Sequence, residues 1–489
     1  MTNIHFQIKR EDSAYHPINF QEVKTPSPNT VLIDNRNYQL LGASDQIQWL
    51  RSKLPELSPH KSISLDYLES RLKAIGAHDI SVIGQVNQIG ISILSPKEVK
   101  APKTELEAKI DAYLQDMLHT RNFRGAVLIQ ENGKPLFSGA YGPANETGSH
   151  NTKETRFCIG SMTKQFTGAS IALLMQNKSL ITNPAIRQRL KLDEEGKTLT
   201  LDNPIKDLLP SKYWTDKWEG ITLDHLLRHT SGIPCYGSPA EDELRSENFH
   251  LDELVEIVKN EDLLFNPGEM NFYSNGGYVL LGAIIENLTG KTLETFMHDE
   301  IFVPCKMTQT GMVDSYDEET MARGFIEIEK NKMQEIPTIM HLSKTYAAGA
   351  IISTVEDMGK WDIALYGTSL FSEKTKKMMF SCSNPAKIYN PDPKKPDLYT
   401  TDAKGRHHPR PGTEYKKAHY GFGIGISYTD IPGYNTRGDV LEHGGSFPGF
   451  SSHMARYPSS KHAIIILENN GNFLQAIEVK EELERILFA

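Results

Sequence analysis

The chain has 489 residues and a formal net charge of −9 at pH 7, from 53 Lys plus Arg against 62 Asp plus Glu. This length is typical of two to three domains. Because the acidic excess gives no general attraction to phosphate backbones, nucleic acid is not expected as a partner. The hydrophobic fraction of 38% and the charged fraction of 24% are typical of a globular protein and exclude a disordered chain or a coiled coil.

No membrane span is predicted, because the longest apolar stretches, such as 279–285, fall far short of the roughly 20 residues that a spanning helix needs. Residues 1–12 carry charged side chains with no apolar block behind them, unlike a secretory signal. We therefore expect a cytoplasmic protein, with export by another route as the alternative. Four cysteines are too few for a disulfide scaffold, so we expect them to be reduced and structural.

Residues 1–95 are expected to form a small accessory domain of the α+β class, whose role does not follow from its sequence. Residues 96–103 are polar and contain two prolines, which is typical of a linker, so residues 104–489 form the main domain. Apolar spacing in the accessory domain predicts two helices, 46–53 and 64–74, and two short strands, 80–86 and 89–94.

The main domain is predicted to contain an antiparallel sheet covered by helices. Its first two strands are joined by Asn132-Gly133, which is a strong hairpin signal. Helices at both ends of the domain, with hairpin-linked strands between them, favour this arrangement. The predicted helices are 105–118 and 473–487, and the predicted strands are 125–130, 134–139, 421–428, 438–443, 450–457 and 463–468.

Residues 386–417 are expected to form an exposed loop. They contain eight lysine and arginine residues, four acidic residues and five prolines, with little to bury. A solvated insertion is the simpler interpretation, and a flap that guides an acidic substrate is the alternative. No further ligand group lies at metal-like spacing from His407 and His408, so zinc is not expected there.

Ser161 and Lys164 form the first candidate site motif. Ser161 precedes a helical run at 165–174, and unpaired N–H groups and the dipole at a helix start stabilise developing negative charge. Lys164 follows about one turn later, so its amine can reach the serine hydroxyl and remove the proton. The spacing alone is weak evidence, because Ser58 and Lys61 repeat it in a proline-flanked stretch. The alternative is a helix-capping serine followed by a solvated lysine.

Two further motifs follow along the chain. Tyr273 and Asn275 lie on a short turn before an apolar helix, where a phenol can transfer protons and a carboxamide can donate to a substrate carbonyl. Residues 443–446, His-Gly-Gly-Ser, lie on a predicted strand, and two glycines in a strand indicate close approach of a backbone or ligand. The alternatives are a turn tyrosine packed on the core and a β-bulge.

In this order, the three motifs resemble those of the serine β-lactamase and DD-peptidase superfamily, in its class C-like branch. That branch includes D-aminopeptidases, esterases and mitochondrial β-lactamase-like proteins. Flanking sequence such as 226–234 is also similar to family landmarks, and the resemblance covers about residues 104–489. It implies a serine β-lactamase-like α+β fold, in which an antiparallel sheet is flanked by helices and accompanied by an all-helical subdomain.

The resemblance also implies an acyl-enzyme mechanism without a metal ion or organic cofactor. Ser161 would attack a carbonyl carbon, and Lys164 and Tyr273 would share the proton transfers. The backbone N–H groups of Ser161 and Ser446 would form the oxyanion hole. The implied substrate-binding residues are Asn275, His443, Gly444, Gly445 and Ser446.

The third motif departs from the pattern of β-lactamases and penicillin-binding enzymes. There it usually begins with lysine followed by a hydroxyl residue, and both help to hold a substrate carboxylate. Here the positions are His443, which is largely neutral at pH 7, and Gly444, which has no hydroxyl. We therefore expect a small-molecule ester or peptide amide as substrate, and true β-lactamase activity is less expected. Phe447 and Phe450 either line an apolar acyl pocket or belong to the sheet core.

Two other hypotheses compete with a serine hydrolase. One is a catalytically idle scaffold or binding protein that keeps the fold, which the joint retention of serine, lysine, tyrosine and asparagine argues against. The other is a Cys158 nucleophile, although a cysteine at such a position is more often buried packing. Neither the identity of the substrate nor the oligomeric state follows from the sequence.

Overall fold

The computed structural model describes the chain as two compact units, Met1–Lys100 and Ala101–Ala489. In the first unit it describes the backbone of residues 3–9, 15–22, 30–33, 36–41, 62–63 and 77–83. In the second unit it describes residues 104–236, 249–312, 320–329, 332–336, 342–382, 385–390, 399–410, 416–429 and 438–489. The predicted helices 46–53 and 64–74, the predicted strand 89–94 and the predicted linker 96–103 lie outside these residues.

The first unit contains a six-stranded sheet. Strand Asn3–Lys9 pairs antiparallel with Tyr15–Glu22 on one side and with Ala77–Ile83 on the other. The last of these strands overlaps the predicted strand 80–86. The remaining strands of the sheet are Thr30–Ile33, Arg36–Leu41 and Ser62–Ile63.

A second six-stranded sheet, with antiparallel neighbours throughout, forms the centre of the second unit. The turn at Asn132-Gly133 has positive φ angles of 50° and 75°, as a tight hairpin with the sequence Asn-Gly requires. All six strands occur where the sequence predicts them, with ends that differ by a few residues. From edge to edge they are Gly425–Thr429, Gly438–Phe447, Phe450–Tyr457, His462–Glu468, Gly125–Glu131 and Lys134–Tyr141.

Helices cover both faces of this sheet. In strand His462–Glu468, Ile464 packs in an apolar cluster with the helices Glu105–Arg121 and Phe473–Leu487. The next residue, Ile465, belongs to the larger apolar cluster on the opposite face. Alternate side chains of a strand point to opposite faces, so one strand contributes to both layers. The predicted α+β fold, with helices flanking an antiparallel sheet, is confirmed.

The larger cluster includes a helical region that carries the first two site motifs. Helix Thr163–Gln176 is buried along most of its length and packs against helix Asn275–Thr289, which is also largely buried. The other described helices on this side are Pro184–Arg189, Leu223–Leu227, Leu251–Asn260, Leu293–Met297, Val355–Tyr366 and Glu373–Met379. A π-helical turn, His298–Phe302, follows one of them.

The expectation of an exposed loop at 386–417 holds only in part for the residues that the structure describes: many of them are exposed, but two are buried. Tyr389 and Tyr399 are only 5% and 9% exposed, and they pack with Phe265 and Met270 in a small apolar cluster. Two aromatic side chains supply enough apolar surface to anchor a segment whose charges and prolines favoured solvation. The segment forms short strands, namely Ala386–Ile388, Tyr399–Thr401, His407–Pro409 and Lys417–Ala418.

The histidine pair of this segment forms ordinary polar contacts. His408 lies 2.8 Å from a carboxylate oxygen of Glu269 and 3.4 Å from one of Asp402. Within the described ranges, no group of three or more His, Cys, Asp and Glu side chains is placed to hold a metal ion. In the same ranges, no helix has the length and apolar character needed to cross a membrane.

Candidate active site

Ser161 and Lys164 lie where helix Thr163–Gln176 begins. Ser161 is in a single 3-10 turn, Gly160–Met162, that leads directly into this helix. The Nζ atom of Lys164 lies 3.2 Å from Oγ of Ser161. No side chain caps the helix start, and Lys164 is fully buried. The alternative of a capping serine with a solvated lysine is therefore wrong.

Lys164 is surrounded by uncharged oxygen acceptors. Its Nζ lies 2.8 Å from Oδ1 of Asn275 and 2.8 Å from the backbone carbonyl oxygen of Ala348. Burial lowers the pKa of Lys164 to about 7. A neutral amine has two N–H donors and one lone pair. Because the two short bonds use both donors, the lone pair is left to face the hydroxyl of Ser161, which is the arrangement a general base needs.

Tyr273 lies at the mouth of the site. Its side chain is 37% exposed, so it is not the core-packed turn tyrosine of the alternative interpretation. The Nζ atom of Lys164 lies 4.7 Å from the centre of its ring. The ring is exposed, but the hydroxyl end lies inside the site next to Ser161, where burial raises the pKa of Tyr273 and a hydrogen bond with Ser161 lowers it by less. The phenol is thus protonated at neutral pH and can donate a proton, whereas Lys164 can accept one.

The backbone around Tyr273 is fixed by its two neighbours along the chain. Ser274 caps helix Asn275–Thr289, because its Oγ accepts a hydrogen bond from the N–H of Gly277 at 3.0 Å. The N–H of Ser274 donates to Nδ1 of His229 at 3.1 Å, and the His229 ring centre lies 4.4 Å from that of Tyr273. His229 lies within the flanking sequence 226–234, but sequence reasoning gave it no role.

Strand Gly438–Phe447 passes directly beside the serine turn. A Cβ atom on Gly445 would lie 2.0 Å from the carbonyl oxygen of Ile159, and one on Gly160 would lie 2.8 Å from the backbone nitrogen of Ser446. Both positions therefore need glycine, and Gly160 also has a φ of 50°. The strand pairs with the next one without a register shift, so the β-bulge alternative is wrong. The close approach that its glycines predict is confirmed.

This strand has an open edge beside the serine. Its outer neighbour, Gly425–Thr429, pairs with it only as far as Glu442. In the described part of the chain, residues 443–447 have no ladder partner on that side. Backbone N–H and C=O groups on this edge can therefore pair with an extended ligand. Ser446 is exposed there, as a donor to a developing oxyanion must be.

His443 is held by two hydrogen bonds within the protein. Its Nε2 lies 2.7 Å from the hydroxyl of Tyr420, and its Nδ1 lies 2.5 Å from the carbonyl oxygen of Gly444. Burial, reinforced by repulsion from Lys164, lowers the pKa of His443 to about 3. The imidazole is therefore neutral at pH 7, as the sequence analysis expects of this position. Tyr420 is a site residue that sequence reasoning missed, because nothing near it in the chain indicates this contact.

A cleft of about 470 Å³ opens beside the serine. It is lined by Ser161, Tyr273, Tyr420, Gly425, Glu442, His443, Gly444, Ser446, His453 and Phe473. Phe473 is the first residue of the closing helix, and helical periodicity gave no signal that it would reach the site. In contrast, Phe447 and Phe450 are 8% and 2% exposed and belong to the sheet core, so the core interpretation of these two residues is the correct one.

The carboxylate of Glu442 in this cleft is already satisfied. It accepts a hydrogen bond from Oγ of Ser427 at 2.7 Å and lies 3.4 Å from Nζ of Lys480. Burial opposes ionisation, but the hydrogen bond with His453 and the charge of Lys480 lower the pKa of Glu442 to about 2. Glu442 is therefore ionised at neutral pH and paired with Lys480 in the cleft wall.

Cys158 is not placed to act as a nucleophile. It lies on the short strand Phe157–Cys158 and is 1% exposed. Burial raises the pKa of its thiol, which disfavours the reactive thiolate. These observations argue against the cysteine hypothesis.

Comparison with known proteins identifies the family. The Beta-lactamase family model matches residues 110–485. Penicillin-binding protein 4* of Bacillus subtilis (strain 168) is 27% identical over 403 residues, which cover 77% of this chain and 76% of that protein. Teichoic acid D-alanine hydrolase of Staphylococcus aureus is 31% identical over 280 residues, or 57% of this chain and 62% of that protein. The match thus spans less than two thirds of the hydrolase.

Solved structures show the same fold. The D-amino acid amidase from Ochrobactrum anthropi SV3 is 23% identical and superposes with a TM-score of 0.59, covering 78% of this chain and 98% of that one. The penicillin binding protein from Bacillus halodurans is 22% identical, with a TM-score of 0.55 over 76% of this chain and 99% of that one. The predicted family, fold and class of enzyme are confirmed. Because the matching family model spans most of its length, the chain belongs to the Beta-lactamase family.

Proposed function

We propose that Ser161 is the nucleophile of a hydrolase that cleaves an ester or a small amide bond through an acyl-enzyme. One observation carries this proposal. The buried amine of Lys164, with a pKa lowered to about 7, lies 3.2 Å from the serine hydroxyl and has its other contacts satisfied. Serine needs such a base, because its hydroxyl is a weak nucleophile at neutral pH. Relatives that are named as a hydrolase and an amidase support the reaction class.

In the proposed mechanism, Lys164 takes the proton as the oxygen of Ser161 bonds to the carbonyl carbon. The carbonyl oxygen becomes an oxyanion that accepts hydrogen bonds from the backbone N–H groups of Ser161 and Ser446. Tyr273 passes a proton to the leaving alcohol or amine, and the tetrahedral intermediate collapses to the acyl-enzyme. Water then attacks the acyl carbon, with its proton taken by the same groups, and Ser161 is released.

The substrate class follows from the third motif and from the names of the relatives. Since His443 is neutral and Gly444 has no hydroxyl, we expect poor recognition of a carboxylate and little β-lactam hydrolysis. The relatives are named for teichoic acid D-alanine and for D-amino acid amides. Esters and amides of D-amino acids are therefore the first substrates to test.

Intact mass spectrometry tests the nucleophile. Wild-type protein and the Ser161→Ala variant are incubated with a fluorophosphonate probe, a short-chain nitrophenyl ester and a penicillin. We expect one adduct on the wild type, none on the variant, and a loss of roughly 10⁴-fold or more in kcat/KM for the ester. Ser58→Ala, in the second copy of the spacing, is the matched control and should keep the adduct. Equal labelling of Ser161→Ala would contradict the proposal, and no adduct on the wild type would favour the idle scaffold.

The organisation of the chain and its location are also proposals. We propose an accessory domain at 1–95, joined by a linker at 96–103 to the hydrolase domain, so limited proteolysis of the full chain should first cut within the linker. A cytoplasmic location is tested by fractionation of expressing cells. A structural relative from Pyrococcus abyssi is described as octameric, so light scattering should establish the assembly of this chain.

A further inference from the structure

The cleft beside Ser161 has no positive charge to offer a ligand. No lysine or arginine occurs among the described residues that line it. Lys164 is buried beneath the cleft, where its amine is within hydrogen-bonding distance of Ser161, Asn275 and Ala348. The ionised group of the lining is Glu442, which is paired with Lys480 at 3.4 Å and has no donor to offer a substrate carboxylate. Of the two histidines in the lining, His453 holds the Glu442 carboxylate through Nε2 at 3.2 Å, so His443 is the side chain that could supply a cationic donor next to the serine.

The hydrogen bonds of His443 remove that donor. Nδ1 faces a carbonyl oxygen, that of Gly444, at 2.5 Å, and a carbonyl oxygen can only accept. Nδ1 must therefore carry a proton. In a neutral imidazole the other nitrogen then has only a lone pair, so Nε2 accepts the hydroxyl proton of Tyr420 at 2.7 Å. Both nitrogens are used within the protein, and neither points a free N–H into the cleft.

Tyr420 is itself held firmly in position. Its backbone carbonyl accepts a hydrogen bond from Nη1 of Arg228 at 2.8 Å, and its ring centre lies 4.6 Å from that of His229. Contacts of both the backbone and the ring therefore hold Tyr420 in place, and with it the hydroxyl that reaches His443. This contact comes from outside the three sequence motifs.

We propose that Tyr420 is a specificity-determining residue, which locks His443 as a neutral acceptor and thereby excludes substrates that carry a carboxylate at this part of the cleft. The inference rests on the proposed function, because it assigns the substrate class of the same site. Neutral or amine-bearing esters and amides are accepted, since neither needs a cationic donor and an ammonium group is compatible with Glu442. Removing the hydroxyl leaves Nε2 without its donor. A substrate carboxylate placed there then supplies the negative charge that offsets burial and the repulsion from Lys164, so a proton on Nε2 that donates to this carboxylate is favoured.

The hydrogen-bond arrangement can be tested without catalysis. Nitrogen-15 NMR of the histidine rings at pH 7 distinguishes the neutral form with a proton on Nδ1 from the other neutral form and from the cation. We expect the Nδ1–H form of His443 in the wild type, and a changed Nε2 signal in Tyr420→Phe. A cation or an Nε2–H form in the wild type would overturn the proposal, whatever the enzyme hydrolyses.

The selectivity is measured with two matched pairs of esters. One pair is mono-4-nitrophenyl succinate and its methyl ester, and the other is 3-carboxyphenyl acetate and phenyl acetate. The pairs place the carboxylate on the acyl side and on the leaving-group side. We expect the wild type to prefer the uncharged member, and Tyr420→Phe to shift the kcat/KM ratio of at least one pair toward the carboxylate by about tenfold, the value of one charge-assisted hydrogen bond.

The control is Tyr141→Phe, which removes a hydroxyl that donates at the same distance, 2.7 Å, to Asp111 on the other side of the sheet. This variant should keep both wild-type ratios. Unchanged ratios in Tyr420→Phe would overturn the proposal. If the wild type hydrolyses none of the four esters, the proposed function fails, and the NMR result alone decides the state of His443.

Discussion

Two buried cations of the second unit differ in their partners. Among the residues that the structure describes, Lys164 has only uncharged oxygens within hydrogen-bonding distance, whereas Nε of Arg456 lies 2.5 Å from a carboxylate oxygen of Asp362. Asp362 also accepts a hydrogen bond from Gln130 at 2.7 Å, so this ion pair is part of a satisfied network under the sheet. The carboxylate of Asp362 balances the buried guanidinium, so removing it would leave an uncompensated charge. A buried lysine without a carboxylate has a lowered pKa and can act as a base near neutral pH.

The largest expected effect is on activity, when Lys164 is replaced. In Lys164→Met, kcat/KM for the best ester should fall by roughly 10² to 10⁴, because the general base is lost. The free energy of unfolding measured with urea should fall by no more than about 1 to 3 kcal/mol, because the oxygens of Asn275 and Ala348 lose their donor while an apolar side chain replaces a buried amine. A variant within a few-fold of wild-type activity would show that the base is another group.

Breaking the buried Arg456–Asp362 ion pair should lower stability and leave activity unchanged. Asp362→Asn leaves the Arg456 charge buried without an anion, so the free energy of unfolding should fall by roughly 3 to 5 kcal/mol. The folded fraction should hydrolyse esters at the wild-type rate, because the pair lies away from the cleft. Urea denaturation and active-site titration separate the two effects. A loss of activity per folded molecule would mean that the two regions are coupled.

The pH dependence of the wild type follows from the lowered pKa of Lys164. Below about pH 7 the amine is protonated and cannot take the serine proton, so kcat/KM should rise with pH and level off above a midpoint near 7. Initial rates with an uncharged ester from pH 5 to 9 measure this midpoint. A flat profile over this range would contradict the assignment of Lys164 as base.

A carboxylate placed next to Lys164 should keep its amine protonated up to a higher pH. Asn275→Asp places a carboxylate where an amide oxygen lies 2.8 Å from Nζ, which raises the pKa of the lysine. The midpoint of the profile should move to higher pH by about one to three units. Asn275→Ala is the control, because it removes the amide without adding a charge. An equal upward shift in both variants would show that the charge is not the cause.

An exposed pair should produce the smallest effect. Lys109 and Glu105 lie 2.8 Å apart on the first helix of the second unit, with side chains 63% and 84% exposed. Solvent screens such a pair, so Glu105→Gln should leave the melting temperature unchanged within the error of a thermal scan. A clear fall in the melting temperature would show that burial does not explain the difference between this pair and Arg456–Asp362.

Local patterns in the sequence predicted the elements well, and contacts between distant residues less well. The closing helix, Phe473–Leu487, lies where its apolar spacing predicts it, and the turn at Asn132-Gly133 has the backbone that these two residues favour. The helix and the turn both depend on residues that are close together in the sequence. The motif residues Ser161 and Lys164 could also be found, because their three-residue spacing across the start of the helix brings them together.

The remaining site residues depend on packing between elements. Tyr420 is 23 residues from His443, and no periodic pattern connects them. Phe473 looks like any apolar residue at a helix start, and only the assembled sheet directs it into the cleft. The exposed loop at 386–417 was predicted from charges and prolines. Tyr389 and Tyr399 instead anchor the segment by packing with Phe265 and Met270, which are more than 100 residues away in the sequence.

The contact between the serine turn and the third motif has a mechanical consequence. The backbone of Gly445 rests on the carbonyl of Ile159, and Oγ of Ser452 donates to the same oxygen at 2.9 Å. This contact joins two backbone segments directly, and the Ser452 hydroxyl binds the same oxygen, so the serine turn cannot slide along the strand without breaking it. The backbone that carries Ser161 and the strand N–H groups are therefore held in a fixed relative position. A substrate must adapt its shape to this fixed frame, and compounds that already have a matching shape should bind with the smallest loss of conformational entropy.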